Sequence, residues 1–239
     1  MIAESELRRE LVKACRVLYA AKAAGDGLGG HLSARFGDNI LIKPRPVSWW
    51  RLAPEDLIVL DCNGGRVGID MAQPGKPADV VEWPIHARIY AARPDVNCVF
   101  HAHPAASTLM AALGIAVEPL DQDCAALTDR LPVLDNGAVS IATRELGDEV
   151  ARALGEMGAV LLKNHGSVVA GAGIADVCVA AHKLEKVAET MLRAAQLSTL
   201  PLLSAEKKAA ILAARKGVES SGIHQERWRM LQDYFLDHR

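Results

Sequence analysis

The sequence predicts an α/β domain built around a mostly antiparallel sheet. Short β-branched runs come in adjacent pairs separated by turn residues, as hairpins do. Stretches with helical spacing of apolar residues lie between and after them. No linker, internal repeat or low-complexity segment divides the 239 residues, a length that one large core accommodates. A single domain over 1–239 is expected.

Residues 5–24 read as an amphipathic helix, with Leu7, Leu11, Ala14, Val17 and Leu18 at helical spacing. Gly25-Asp26-Gly27-Leu28-Gly29-Gly30 ends it, and so many glycines imply unusual dihedrals or a close backbone approach. His31–Phe36 alternates as a strand, and 39–44 is its hairpin partner. Ile58–Asp61 and Arg66–Gly68 form another hairpin around Cys62-Asn63-Gly64-Gly65. Residues 81–92 read as a helix stopped by Pro94, 97–101 as a strand, and a short helix opens at Pro104. Strands are expected at 137–142 and 159–163, with a helix at 145–156 between them. Ile174–Gln196 is a long helix, followed by helices at about 204–216 and 223–237.

Half of the residues are hydrophobic and the net charge is −2. Without a basic stripe, nucleic acid is a poor partner. The N-terminus lacks the charged-then-apolar order of a signal peptide, and no apolar run approaches the roughly 18–20 residues of a membrane span. A cytoplasmic protein without membrane contact is expected. The five cysteines, Cys15, Cys62, Cys98, Cys124 and Cys178, are scattered and lack C-x-x-C spacing. They read as buried, reduced thiols.

The chemistry concentrates in histidines. His101 and His103 close the run Val99-Phe100-His101-Ala102-His103-Pro104. A strand repeats every two residues, so both imidazoles point to one side and can reach one metal ion. His165 closes a similar run, in Leu161-Leu162-Lys163-Asn164-His165-Gly166. It supplies the third ligand that catalytic sites usually need. Glu82 opens the 81–92 helix, with His86 four residues on and on the same face. A carboxylate near a metal can ligate, move protons, or both. The plain alternatives are a helix-dipole acid for Glu82 and a packed imidazole for His86. The remaining histidines, His31, His182, His224 and His238, have no such pattern; mid-helix His182 reads as structural and His238 as frayed tail.

Gly30-His31-Leu32-Ser33-Ala34-Arg35, Ile40-Leu41-Ile42-Lys43-Pro44, Glu82-Trp83-Pro84-Ile85-His86, Arg93-Pro94-Asp95-Val96, His101-Ala102-His103-Pro104 and Asn164-His165-Gly166 occur in that order. As an ordered set over roughly residues 5–200 they resemble the class II aldolase/adducin family. The resemblance implies a three-layer α/β/α sandwich around a mainly antiparallel sheet. It also implies a homo-oligomer, a tetramer or a multiple of it, with active sites at subunit interfaces. Metal-binding positions map to His101, His103 and His165, and the catalytic carboxylate to Glu82. One divalent ion per subunit is implied, with zinc, manganese, iron or cobalt all suited to such ligands.

Sugar-phosphate members of that family cradle the phosphate with a Gly-Asn pair, a Thr-Gly pair and a Ser-Ser pair. Here Gly30-His31, Arg45-Pro46 and Val80-Val81 stand near those places. Valines carry no hydroxyl and proline no N–H, so the cradle is expected to be absent. Arg45 and Arg51 flank Pro46-Val47-Ser48-Trp49-Trp50. A guanidinium matches a planar carboxylate, and tryptophans offer flat walls for a ring. Surface charges and ordinary packing are the plain alternatives. Gly-His-Leu-Ser-Ala-Arg resembles the family's branch of decarboxylases that act on hydroxylated aromatic carboxylates. The expected function is metal-dependent decarboxylation of such a small-molecule carboxylate through a stabilised enolate, with Glu82 moving the proton and His31, His86, Arg45 and Arg51 binding substrate. The alternatives are an aldolase for an unphosphorylated hydroxy-carbonyl compound and a non-catalytic adducin-like module.

Overall fold

The computed structural model describes residues 3–45, 47–67, 80–115, 131–197, 203–219 and 222–237. The N-terminal helix α1 (Glu4–Ala20) leads through the glycine loop into β1 (His31–Phe36) and β2 (Asn39–Ile42). A short 3₁₀ turn at Pro54–Asp56 precedes β3 (Ile58–Leu60). Then come α2 (Trp83–Ala92), β4 (Cys98–Ala102), α3 (Ala105–Leu113), β5 (Val133–Leu134) and α4 (Arg144–Leu154). β6 (Ala159–Leu162), β7 (Gly166–Gly171), α5 (Ile174–Ala195), α6 (Ala205–Glu219) and α7 (Ile223–Leu236) complete the order.

The seven strands form one sheet in the order β3-β2-β1-β4-β7-β6-β5. Every pairing is antiparallel except β5 with β6. The sheet is buried on both faces, which explains why β6 is the unbroken apolar run Ala159-Val160-Leu161-Leu162. Ala159 and Leu161 join one core with residues of α1, α3 and α5. Val160 and Leu162 join the other, with residues of α2 and α4. The three-layer α/β/α sandwich is therefore as expected. Among the described residues no helix is long and apolar enough to cross a membrane.

Two expectations need correction. Residues 137–142 are not a strand: Asn136–Ala138 bend and turn, with positive φ at Gly137 (75°) and Ala138 (59°). A chain turning through left-handed conformations cannot lie in a ladder, and the edge strand is Val133–Leu134 instead. Conversely, Gly166–Gly171 is a central strand, hidden from sequence reading by its terminal glycines. Elsewhere only ends move: α1 stops at Ala20, β2 at Ile42, α2 starts at Trp83 and α6 runs to Glu219. The hairpin after β3 survives as a bridge between Leu60 and Arg66, its Gly68 lying outside the described residues. Cys15, Cys98 and Cys178 are buried thiols, as expected, and burial pushes the Cys15 thiol up to about 12. Cys62, in contrast, is exposed on the turn after β3. Cys124 lies outside the described residues.

One contact ties the long helix α5 to the short helix α3 at the sheet end that matters. Pro104 caps α3 but offers no side-chain acceptor. Glu185 of α5 fills that role, accepting from Ala106 N (2.7 Å) and Ser107 N (3.0 Å). A buried carboxylate on free N–H groups and the positive end of a helix is favourable on both counts. It anchors the start of α3 directly after His103.

Candidate metal centre

Four donors meet at one end of the sheet, each from a different piece of chain. His101 is in β4, and His103 lies in the link from β4 to α3. Glu82 is the N-cap residue of α2. His165 sits on the tight turn between β6 and β7, where Asn164 adopts φ 57° and His165 N bonds Leu162 O at 3.1 Å. One ligand atom from each of Glu82, His101, His103 and His165 lies within 4.8 Å of all the others. His101 Nε2 is 3.2 Å from His103 Nε2 and 3.3 Å from Glu82 Oε2, and His165 Nε2 is 3.4 Å from Glu82 Oε1.

The glycine loop forms the wall behind His103. A Cβ on Gly29 would stand 2.8 Å from His103 Nδ1 and Cε1. The expected close backbone approach is therefore to the His103 ring. Trp49, 1% exposed, braces this loop by donating from Nε1 to Gly29 O at 3.1 Å.

The proton on His101 sets which of its nitrogens faces the cluster. His101 Nδ1 lies 3.0 Å from Ser167 O. A carbonyl can only accept, so Nδ1 carries the proton and Nε2 of a neutral ring carries a lone pair. That lone pair faces a carboxylate oxygen and a second imidazole nitrogen. Converging lone pairs repel unless a cation sits among them, and a nitrogen-plus-carboxylate donor set suits a divalent ion. Burial alone would raise the Glu82 carboxyl. The His101 and His31 imidazoles beside it and the Ile141 N–H outweigh burial, holding Glu82 well below the usual carboxylate range.

Sequence reasoning missed the groups that hold Glu82. Its Oε1 accepts from Ile141 N at 2.8 Å and from Ser140 Oγ at 3.0 Å. Both belong to the segment 137–142, which abandons strand geometry and delivers these donors. No local pattern ties residue 140 to residue 82.

The four remaining candidates separate into two pairs. His31, 2% exposed, stands beside the cluster with Nε2 3.8 Å from Glu82 Oε2. His86 lies behind it, fully buried, with Nε2 2.6 Å from His31 Nδ1 and Nδ1 2.6 Å from Ser33 Oγ. Both nitrogens of His86 are engaged within the protein, so none is left for a substrate. Burial lowers His31 to about 4 and moves His86 well below the ordinary histidine value. Arg45 and Arg51 are exposed, and neither figures in the contacts of the cluster. Trp49 packs against Phe100 (5.9 Å between ring centroids) and under the Lys43 ammonium at 4.9 Å, which makes it a core residue. Of the other histidines, His182 stacks on Phe235, His224 pairs with Asp176 at 2.6 Å, and His238 lies outside the described residues.

Comparison with known proteins agrees with this geometry. Residues 9–192 match the family described as "Class II Aldolase and Adducin N-terminal domain". A 5-methylthioribulose-1-phosphate/5-deoxyribulose-1-phosphate aldolase of Rhodospirillum rubrum is 30% identical over 206 residues, 86% of this chain and 89% of that one. A 3,4-dihydroxyphthalate decarboxylase of Arthrobacter keyseri is 30% identical over 195 residues, covering 78% and 77%. Among solved structures, an aldolase II superfamily protein from Pseudomonas syringae superposes with a TM-score of 0.86 at 22% identity, over 98% of this chain and 94% of that one. The family match spans most of the chain and its donor cluster is complete, so this protein belongs to the class II aldolase and adducin N-terminal domain family and is a metal-dependent lyase.

Proposed function

We propose that the enzyme is an aldolase that cleaves a carbon–carbon bond in an unphosphorylated hydroxy-carbonyl substrate. The observation that carries this is the convergence of His101, His103, His165 and Glu82 within 4.8 Å. The sugar-phosphate aldolases among its relatives support the reaction type. The absence of hydroxyl donors at Val80 and Val81, just before Glu82, argues against their phosphate.

The three imidazoles, with Glu82 beside or among them, would hold the divalent ion, and zinc, manganese, iron or cobalt all suit them. Bound there, it supplies a Lewis acid for the electron pair that bond cleavage leaves on the substrate. Glu82 takes the proton from the substrate hydroxyl as the carbon–carbon bond breaks and an aldehyde departs. It then returns a proton to the enolate carbon. Ser140 and Ile141 hold its Oε1, leaving Oε2 on the side of His101 and His31. The resemblance also carries one ion per subunit and a homotetramer, which metal analysis and light scattering test.

Decarboxylation of a hydroxylated aromatic carboxylate is the second reading, supported by the 30% identity to the dihydroxyphthalate decarboxylase. The electronics are the same, with carbon dioxide leaving in place of the aldehyde. Metal-loaded protein incubated with both substrate classes separates the two. Aldehyde without carbon dioxide is the expected result, and carbon dioxide alone would replace the aldolase with the decarboxylase. In either case Glu82→Gln should lower turnover about 10²-fold or more. Full activity in that variant would remove Glu82 from proton transfer.

A further inference from the structure

Behind Glu82 runs a buried polar chain that the proposed chemistry has not used. Glu82, His86 and Tyr90 lie four residues apart, so they form one stripe on α2. His31 and Ser33 lie two apart on β1, so they share the sheet face toward that stripe. The two rows interlock. His31 Nδ1 meets His86 Nε2 at 2.6 Å, His86 Nδ1 meets Ser33 Oγ at 2.6 Å, and Ser33 Oγ meets the Tyr90 hydroxyl at 2.8 Å. None of the four residues is more than 5% exposed. Arg35 holds Tyr90 in place, with its guanidinium 4.8 Å over the ring and Nη2 donating to Tyr90 O at 2.9 Å.

Such a chain has two possible directions, and the carboxylate chooses between them. If protons ran from His31 to Tyr90, His31 would give its only proton to His86. A bare Nε2 would then face the Glu82 anion at 3.8 Å. In the opposite direction Tyr90 donates to Ser33, Ser33 donates to His86 Nδ1, and His86 Nε2–H donates to His31 Nδ1. Ser33 and His86 then each give one hydrogen bond and accept one, and His31, accepting at Nδ1, turns an N–H toward Glu82. Cooperative chains of this kind hold their direction more firmly than isolated bonds.

We propose that Tyr90, Ser33 and His86 are positioning residues which fix His31 in the tautomer protonated at Nε2, so that its N–H orients the Glu82 carboxylate at the metal centre. This rests on Glu82 moving the proton in the proposed reaction. Ser140 and Ile141 then hold one oxygen of Glu82 and His31 steers the other. His86 acts wholly through His31 and touches no substrate.

Nitrogen-15 NMR of the zinc-loaded, histidine-labelled enzyme reads the tautomers directly, with signals assigned by loss in His31→Asn and His86→Phe. Both rings should carry their proton on Nε2 alone. A proton on Nδ1 of either ring would overturn the proposal. Kinetically, His86→Phe should lower kcat about 10- to 100-fold, the range that outer partners of a metal centre command, with KM and zinc content near wild type. His86→Gln, whose amide N–H can stand in for Nε2–H, should restore most of the loss. Unchanged kcat in His86→Phe, or no rescue by His86→Gln, would refute the role. Should His86→Phe fail to fold, Tyr90→Phe keeps the ring under Arg35, and its kcat alone should fall ~2- to 10-fold, the worth of one hydrogen bond. A wild-type protein that binds zinc but cleaves no carbon–carbon bond would sink the functional reading. The tautomers would still decide this one.

Discussion

Gly29→Ala tests whether His103 is held as a ligand or merely sits near the others. A new Cβ would lie 2.8 Å from two atoms of the His103 ring, where ordinary contact begins at 3.4 Å. The ring must therefore retreat by about 0.6 Å, beyond the ~0.5 Å within which a metal or catalytic constellation keeps its geometry. Gly29 does not have a positive φ, so alanine strains no backbone and the clash is the whole perturbation. An unligated imidazole can swing aside cheaply, so the stability of the metal-free protein should barely change. Zinc affinity should fall about 10- to 100-fold, roughly 1.4 to 2.8 kcal/mol, in competition against a chromophoric chelator. Gly37→Ala is the control. It has φ 58° and nothing within 4 Å, so it should cost ~1 kcal/mol in urea unfolding and leave zinc affinity alone. Wild-type zinc affinity in Gly29→Ala would show that His103 does not need its present position, and the three-histidine centre would lose a member.

Glu185→Ala removes the acceptor for Ala106 N and Ser107 N, both buried at the start of α3. Two charge-assisted bonds are lost and their donors stranded, so urea unfolding should show a loss of about 3 kcal/mol. A change under ~0.5 kcal/mol, the size of a neutral surface substitution, would remove Glu185 as the cap. In metal-free protein, burial lowers His31 to about 4 from its ordinary 6.5, and His86 moves the same way. Between those values the unfolded chain binds the proton and the native one does not. Stability is then full above pH 6.5 and falls as the pH drops toward 4, by about 3 kcal/mol for His31 alone. Flat urea stability between pH 7.5 and 4.5 would show that these rings are not held neutral.

What the sequence disclosed followed from period. His101 and His103 share a side because a strand alternates, and Glu82 and His86 share a face because a helix returns after four residues. His165 was legible as a candidate donor but not as a turn residue. Asn164 tolerates left-handed geometry better than most residues and was the available sign that β7 doubles back on β6. Ser140 and Ile141 left no such sign, since their partner is 58 and 59 residues away. Arg45 and Arg51 show the converse limit: guanidinium chemistry argues for a substrate anion, yet chemistry without a position says nothing about where a side chain points.

Register, more than composition, builds this centre. β1 pairs with β4 so that His31 lies opposite His101, and β4 pairs with β7 so that Ala102 lies opposite Ser167. That second pairing puts Ser167 O within reach of His101 Nδ1 and fixes which nitrogen faces the other donors. A one-residue slip in either ladder would turn the imidazole to the opposite face, and the buried apolar rows on both faces of the sheet forbid that slip. The hydrophobic pattern that specifies the fold therefore also specifies the lone-pair geometry. In the proposed chemistry the same cluster would stabilise an enolate whether an aldehyde or carbon dioxide departs. Choice of substrate must then lie in groups that touch the rest of the molecule, and neither the ligand set nor the chain behind His31 decides it.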